Sequence, residues 1–414
     1  MKLSFKLKQK FNDKTLAIIE ELSFHTTKLY NTANYNNREN EFNNYIDMNK
    51  KYSDNWHKLF LHSHNYQQCL KVLEKNWKSY FASIKDYKKN SNKYKGIPRK
   101  PKFKNSTNKN EIIFTNLAIR VRENILKLSL SKAMQKKFRV KSLNFNLSDK
   151  IKSLVNLEKL QQVKIKWDRV LKEWYLIIIH IKEKINMDLG TNIMSIDLGL
   201  DNLATICFLE SKESYIINGK TIKSKNSYLN KEIARLQSIR MKRTGNIKFK
   251  NTNKIIKLRR YRENYTNDYM HKASRKILEI ALENKVSKIV IGDIKNIKQN
   301  SKIKSFVQIP IQKLVSLLNY KAELLGIEII KQNESYTSGV SAIDLEEVSK
   351  SNYDKTRRIT RGLFKTNAGI KINADVNGSL NILRKYLQYK CIPKLIELAR
   401  DNGFVNCPIR IRVA

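Results

Sequence analysis

Residues 193–200 read IMSIDLGL, an apolar stretch typical of a buried strand, with an acid, Asp197, near its end. Asp is disfavoured inside strands, so its presence here needs a reason. One reason is structural, because an Asp followed by Leu198-Gly199 can begin a turn. The other is chemical, because hard cations such as Mg²⁺ take carboxylate oxygens as ligands. The segments that follow decide between these two interpretations.

The order of those segments predicts a particular fold. They are a strand at 203–210, a strand at 214–219, a basic helical region over about 224–284, a strand at 288–293, a helix around 311–325, a strand at 327–333 and a final helix at 375–387. Counting the strand that holds Asp197, the order is β-β-β-α-β-α-β-α. This is the order of the RNase H-like fold.

A second acid lies where that fold would use it. Asp375 sits in the first turn of the last predicted helix, inside IKINADVNGSLNIL. Alone, an acid there is explained by the helix dipole. However, an RNase H-like fold brings its strand-end acid and its last-helix acid together, and two-metal hydrolysis needs several carboxylates around cations roughly 4 Å apart. We therefore expect Asp197 and Asp375 to be neighbours.

The first half of the chain has a different pattern. Alternation at 3–7 predicts a strand, and helical spacing predicts helices at 14–35 and 55–86. Further strand patterns follow residue 105, ending in an apolar run at 174–182. This half is predicted as a small β structure interrupted by a helical insertion.

Composition points to a polyanionic partner. The chain has 82 Lys and Arg against 37 Asp and Glu, a net charge of +45, while 41% of its residues are hydrophobic. Such a charge destabilises a compact chain by self-repulsion unless a polyanion neutralises it, which favours nucleic acid. The sequence predicts no membrane span, and the first residues, MKLSFKLKQK, lack the apolar core of a signal peptide. We expect a cytoplasmic protein with reduced cysteines.

Two basic stretches are candidates for phosphate contact. Residues 87–104 hold eight Lys or Arg and no acid, and 231–262 hold twelve. Solvated helix faces normally mix charges of both signs, so one-sided charge favours phosphate binding, although a basic linker is an alternative for the first stretch. The residues predicted to bind nucleic acid are Arg99, Lys100, Lys102, Arg240, Lys242, Arg243, Lys257, Arg259 and Arg260.

Several motifs resemble one family. DLGxxxxAT at 197–205, HKASR at 271–275, ESYTS at 334–338 and RGLFK at 361–365 followed by INADVNGSLNIL at 372–383 resemble the RuvC-type domain of the transposon-encoded TnpB (OrfB) proteins. The family is related to type V CRISPR effectors. The resemblance implies a guide RNA from the transposon end, double-stranded DNA with a short adjacent motif as target, and Mg²⁺- or Mn²⁺-dependent DNA cleavage.

The resemblance also implies a mixed α+β architecture. A β-barrel-like wedge domain would comprise 1–13 and 105–186, with a helical recognition insertion at 14–90 and a basic linker at 91–104. An RNase H-like (RuvC) nuclease domain would cover 187–390, with 391–414 as a C-terminal tail.

The sequence departs from the family at its second catalytic acid. The family usually has a Glu where this chain has Gly292, and Asp293 follows one residue later. Side chains alternate between the faces of a strand, so Asp293 is expected to point away from Asp197. Glu334, at the end of the next strand, could reach the same metals across one strand spacing of about 5 Å. The predicted catalytic and metal-binding set is Asp197, Glu334 and Asp375.

A second departure concerns zinc. Residues 336–374 contain neither Cys nor His, so the zinc ribbon that is frequent in the family is not expected here. Two functions remain open. One is an RNA-guided DNA endonuclease, favoured by Glu334, and the other is a nuclease-dead, RNA-guided DNA-binding repressor, favoured by Gly292.

Overall fold

The computed structural model describes residues 1–105, 109–185, 187–211, 213–245, 251–293, 309–389 and 407–413. The chain divides into two compact units, Met1–Glu183 and Lys184–Ala414. The finer domain boundaries expected from the sequence remain predictions.

Unit 1 contains a group of helices built around two long ones. Its helices are α1 (Asp13–Glu39), α2 (Tyr45–Lys51), α3 (Trp56–Leu59), α4 (Ser63–Lys89), α5 (Lys132–Phe138) and α6 (Asp149–Leu154). The single helix predicted over 55–86 is therefore wrong at its start. Asn55 caps the short α3, and the chain begins a new helix after His62, whose side chain accepts from the backbone of His64.

The strands of unit 1 form two sheets. They are β1 (Lys2–Leu7), β2 (Ile112–Thr115), β3 (Ile119–Arg122), β4 (Ile125–Ser129), β5 (Ser142–Asn146), β6 (Leu160–Asp168) and β7 (Glu173–Ile181). One sheet has the order β1-β7-β6-β2 and the other β3-β4-β5. Among the described residues, hydrogen bonds do not join the two sheets into the closed barrel that a barrel-like wedge suggests.

Unit 2 is built on a six-stranded mixed sheet. Its strands are β8 (Asn192–Leu198), β9 (Asn202–Phe208), β10 (Tyr215–Asn218), β11 (Val286–Gly292), β12 (Glu328–Gln332) and β15 (Ile409–Ile411), in the order β12-β11-β8-β9-β10-β15. A separate hairpin pairs β13 (Leu363–Lys365) with β14 (Lys371–Asn373). The expected C-terminal tail thus contributes an edge strand, since β15 pairs in parallel with β10.

In the described part of unit 2, four helices accompany this sheet: α7 (Lys220–Thr244), α8 (Asn253–Glu283), α9 (Ile311–Leu325) and α10 (Ala374–Tyr386). The basic region predicted as one helical stretch is divided, because α7 ends at Gly245 in the left-handed conformation that glycine adopts most readily. The helix predicted around 311–325 is α9, and one face of it is buried, with Leu314, Leu318 and Ala322 fully inaccessible. None of the helices in the described ranges is long and apolar enough to cross a membrane.

Candidate active site

Asp197 lies near the end of β8, in the interior of the sheet. It pairs with Thr205 of β9, and β11 runs parallel on the other side of β8. Burial raises the pKa of the Asp197 carboxyl well above its usual range, and the negative charges of Glu334 and Asp375 raise it further, while Arg358 opposes them. The other two predicted acids are therefore close enough to Asp197 to change its pKa.

Helix α10 packs directly against Asp197 because it carries a glycine at the contact. A Cβ atom placed on Gly378 would lie 2.9 Å from Oδ2 of Asp197. The next residue, Ser379, donates to the backbone oxygen of Thr205 at 3.1 Å. These contacts fix the helix that carries Asp375 against the strands that carry Asp197.

Asp375 occupies the first turn of α10, where Asn373 caps the helix by accepting from the backbone of Asp375 at 3.1 Å. Its two carboxylate oxygens have different partners. Asn202 of β9 donates to Oδ2 at 2.6 Å, and Arg358 donates to Oδ1 at 3.0 Å. Asp375 is thus positioned by an amide and a guanidinium.

Glu334 fills the space that Gly292 leaves open. A Cβ atom placed on Gly292 would lie only 2.5 Å from Oε2 of Glu334 and 3.1 Å from Cδ1 of Ile382 in α10. Burial raises the pKa of the Glu334 carboxyl, and the charge of Asp293 adds to this rise. The Glu334 carboxylate therefore lies where a side chain from position 292 would begin, on the side of β11 that faces α10.

Strand register explains how Glu334 reaches this position. Gly292 pairs with Gln332 in the parallel β11–β12 ladder, so Glu334 comes two residues after the partner of Gly292. The chain turns there, since the backbone N–H of Thr337 donates to the Glu334 carbonyl. Asp293 remains tied to the ladder through its backbone N–H, which donates to Gln332 at 2.7 Å.

A cavity of about 420 Å³ opens beside Asp197 and Asp375. Its lining residues are Asp197, Leu198, Gly199, Leu200, Asp201, Asn202, Thr205, Arg358, Arg361 and Asp375. Glu334 does not line this cavity. The mouth carries the largely exposed Arg361, which pairs with Asp201 at 3.0 Å, and Lys223 lowers the pKa of Asp201 through a 2.7 Å hydrogen bond.

Asp197, Glu334 and Asp375 are named the carboxylate site below. Within the described part of the chain, no three His, Cys, Asp or Glu side chains are already arranged as metal ligands. The donor chemistry nevertheless suits Mg²⁺ or Mn²⁺, because all three residues are acids with oxygen donors, the charges of Glu334 and Asp375 both raise the pKa of Asp197, and Arg358 forms an ion pair only with Asp375. The residues therefore fit divalent cations once the Asp375 carboxylate is released from Arg358.

A second group of charged residues organises the segment in which the family often has zinc. Arg357 donates to both oxygens of Glu346 at 2.8 Å and to Asp344 at 3.1 Å. Its guanidinium carbon lies 4.9 Å from the ring centre of Phe364 in the β13–β14 hairpin. All three charged side chains are at most 15% exposed. We name Arg357, Asp344 and Glu346 the arginine clip.

The residues predicted to bind nucleic acid lie on exposed or half-exposed positions. Arg99, Lys100 and Lys102 are exposed in an irregular stretch of unit 1, where Lys100 donates to the backbone of Arg38. The other six occupy the last turns of α7 and the first turns of α8. Lys242, Arg243, Lys257 and Arg259 are exposed there, and Arg240 and Arg260 are half-buried with partners of their own.

Sequence reasoning missed several polar residues of the site, Asp201 among them. Asn202, Arg358 and Arg361 all line the cavity beside the two aspartates. The two arginines belong to RRITR at 357–361, which shares Arg361 with the RGLFK motif. A run of arginines without acids next to a family motif was therefore an available signal. Asn202 had no such signal, because its role depends on the pairing of β8 with β9.

Two family comparisons cover much of unit 2. Residues 177–298 match the family described as OrfB_IS605, probable transposase. Residues 312–382 match the Cas12f1-like TNB domain. The resemblance to the TnpB (OrfB) family predicted from the motifs is thereby confirmed.

Individual relatives agree with these matches. The chain is 28% identical over 221 residues to the CRISPR-associated endodeoxyribonuclease Cas12f1 of Sulfoacidibacillus thermotolerans, over 51% of this chain and 50% of that protein. The match therefore spans half the length of this relative. The cryo-EM structure of a Cas12f1-sgRNA-target DNA complex aligns with 90% of this chain and 83% of its own, with a TM-score of 0.64 and 16% identity. This likeness shows a shared mixed α+β fold.

Proposed function

We propose that this protein is a transposon-encoded, RNA-guided DNA endonuclease that hydrolyses target DNA with two divalent cations held by Asp197, Glu334 and Asp375. Its partners would be a guide RNA from the transposon end and double-stranded DNA with a short adjacent motif. The family matches and the endodeoxyribonuclease name of the Cas12f1 relative support the reaction class. The position of Glu334 at Gly292 carries the assignment of the third acid.

The proposal depends on excess negative charge at the carboxylate site. Asp197 and Glu334 both have raised pKa values, and no side chain of the described residues donates a hydrogen bond to the Glu334 carboxylate. Bound there, Mg²⁺ or Mn²⁺ would activate water and neutralise charge on the phosphate. The protein itself positions these acids: Asn202 holds Asp375 by a hydrogen bond, and the close packing of Gly378 holds Asp197. The acids therefore do not have to be ordered during the reaction.

The two arginines at the cavity would act on the substrate. Arg358 and Arg361 approach the site from the segment before β13, and a guanidinium binds phosphate with two parallel N–H groups. Replacing a carboxylate partner by a DNA phosphate would leave each arginine paired. In this role both arginines bind and orient the strand, and the change of partner at Arg358 also releases Asp375.

A second function, guided DNA binding without cleavage, is favoured by two observations. Arg358 already neutralises Asp375, and the described residues hold no ready cluster of metal ligands. If this pair persists when DNA is bound, the protein would act as a repressor. Cleavage measured together with binding distinguishes the two functions.

The test compares wild type, Glu334→Gln and Asp293→Asn with a guide RNA and a matched DNA duplex in Mg²⁺. Cleavage should be lost in Glu334→Gln, with DNA binding in EDTA unchanged. Asp293→Asn is the matched control, since it removes the neighbouring acid from the end of β11, and it should keep most of the activity. Retained cleavage in Glu334→Gln would contradict the assignment, and a wild type that binds guided DNA without cutting it would establish the repressor.

A further inference from the structure

Three tyrosines converge on one lysine in the α7–α8 hairpin. Lys225 and Tyr228 lie one turn apart on α7, and Tyr261 and Tyr265 lie one turn apart on α8. The ammonium of Lys225 is 5.9 Å from the ring centre of Tyr228, 5.2 Å from that of Tyr261 and 5.7 Å from that of Tyr265. The rings of Tyr261 and Tyr265 stack at 6.3 Å with an angle of 28° between their planes. We name these four residues the tyrosine platform.

The platform is a surface feature. Tyr228 is 58% exposed and Tyr261 is 48% exposed. On the same helix, by contrast, Tyr269 is 3% exposed, belongs to the hydrophobic core and donates its hydroxyl to the backbone of Asn218. Core packing therefore accounts for Tyr269 and leaves the exposed rings of the platform unexplained.

Positive charge continues from the platform along the hairpin. Lys257, Tyr261 and Tyr265 are spaced four residues apart on α8, so they form one row on the same face. Lys257 is exposed, and α7 ends with the exposed Lys242 and Arg243. A row of exposed rings beside cations presents flat π surfaces together with partners for anions.

We propose that the tyrosine platform stacks unpaired bases of a nucleic-acid strand while Lys225 and Lys257 contact its phosphates. Single-strand binding sites combine these two features, because every base has a π face and every nucleotide has a phosphate. The proposal rests on the proposed function for its class of partner and adds the position and the mode of contact. The unpaired bases could belong to the guide RNA or to a DNA strand, and both present the same chemistry.

The test measures binding of fluorescent oligo-uridine RNA and oligo-thymidine DNA to the full chain in EDTA, where cleavage does not contribute. Tyr228→Ala and Tyr261→Ala should each weaken binding about 5- to 150-fold, the effect of losing one stacked base. Tyr228→Phe and Tyr261→Phe keep the ring and should bind like wild type. A larger loss of affinity for RNA in the Ala variants assigns the stacked bases to the guide RNA, and a larger loss for DNA assigns them to a DNA strand.

The salt dependence separates stacking from charge. In the tyrosine variants the slope of log affinity against log salt concentration should stay at the wild-type value, since no phosphate contact is lost. In Lys257→Gln it should become shallower by about 0.7, the effect of losing one single-strand phosphate contact. Tyr228→Leu, which keeps apolar bulk without an aromatic ring, should behave like Tyr228→Ala and controls for disturbed packing.

The outcomes are distinguishable from those of the nuclease proposal. If wild type binds strands and the Ala variants bind equally well, the platform proposal is overturned while the nuclease proposal stands. Wild-type affinity in Tyr228→Leu would overturn it as well. If the tyrosine variants lose affinity as expected and wild type cuts no guided target, only the nuclease proposal fails.

Discussion

The arginine clip and the carboxylate site use the same residue types in opposite ways. In the clip, Asp344 and Glu346 both receive hydrogen bonds from Arg357, and the amide of Asn367 donates to Glu346 as well. In the carboxylate site, Arg358 forms an ion pair with Asp375 alone. Burial and the charges of Glu334 and Asp375 raise the pKa of Asp197, and burial and the charge of Asp293 raise the pKa of Glu334. Acids matched by a guanidinium hold a loop in place, whereas acids left in excess are suited to bind a cation.

The clip also explains how a ribbon segment without zinc ligands keeps its shape. Arg357 connects 344–346 to the hairpin through Phe364 and through its Nε, which donates to the Lys365 carbonyl at 3.2 Å. Arg358, the next residue, reaches Asp375. A rigid Arg357 therefore fixes the backbone from which Arg358 extends towards the carboxylate site.

The largest expected effect comes from removing the acid at Glu334 and then placing a glutamate at position 292, at the end of β11. Glu334→Ala should reduce cleavage by a factor of hundreds or more, since a metal ligand contributes several kcal/mol to transition-state stabilisation. Adding Gly292→Glu to that variant should recover at least about tenfold, because the new side chain starts where the Glu334 carboxylate lay. Rates are measured under single-turnover conditions with saturating guide RNA.

The single variant Gly292→Glu is the control for this exchange. Its Cβ would lie 2.5 Å from Oε2 of Glu334, so the two acids compete for one space and activity should fall. No recovery in the double variant, with its fold intact by circular dichroism, would contradict the view that positions 292 and 334 serve the same site.

A smaller effect compares the same substitution in the two clusters. Glu346→Gln should lower the free energy of unfolding by about 1–3 kcal/mol, because it removes a charge-assisted hydrogen bond to Arg357. Glu334→Gln should raise it in EDTA, because it removes excess negative charge beside Asp197. Urea unfolding of both variants and of wild type measures these free energies. If both substitutions stabilise the protein, or both destabilise it, the proposed distinction between the two clusters is wrong.

The smallest expected effect is a pH dependence confined to the carboxylate site. The folded-state pKa of Asp197 is raised, so as pH rises above about 4 the unfolded state ionises first and the metal-free protein loses stability. Asp197→Asn lacks this loss, and its stability relative to wild type should grow with pH until the raised pKa is passed. Paired urea titrations in EDTA check this, and a constant difference between pH 4 and 8 would disagree with it.

Part of this protein follows from sequence alone. The apolar strand ending in Asp197, the acid that opens the last helix and the excess of Lys and Arg are local or compositional features, so they can be read without knowing any distance. The order of the main elements along unit 2 also follows, because their periodicity is local, whereas the edge strand β15 was not predicted. The break between α3 and α4 was missed, since a cap at Asn55 and a second one at His62 compete with continuous helical spacing.

Only the tertiary structure decided which acids meet. Strand alternation assigns a face to Gly292 and Asp293, but the position of Glu334 depends on the register that pairs Gly292 with Gln332 and on the turn that follows. The pairing of Asp375 with Asn202 joins segments far apart in the chain, and its pairing with Arg358 depends on the hairpin between them. Such contacts join residues up to 173 positions apart, and no local pattern encodes a distance set by the packing of a whole sheet and helix.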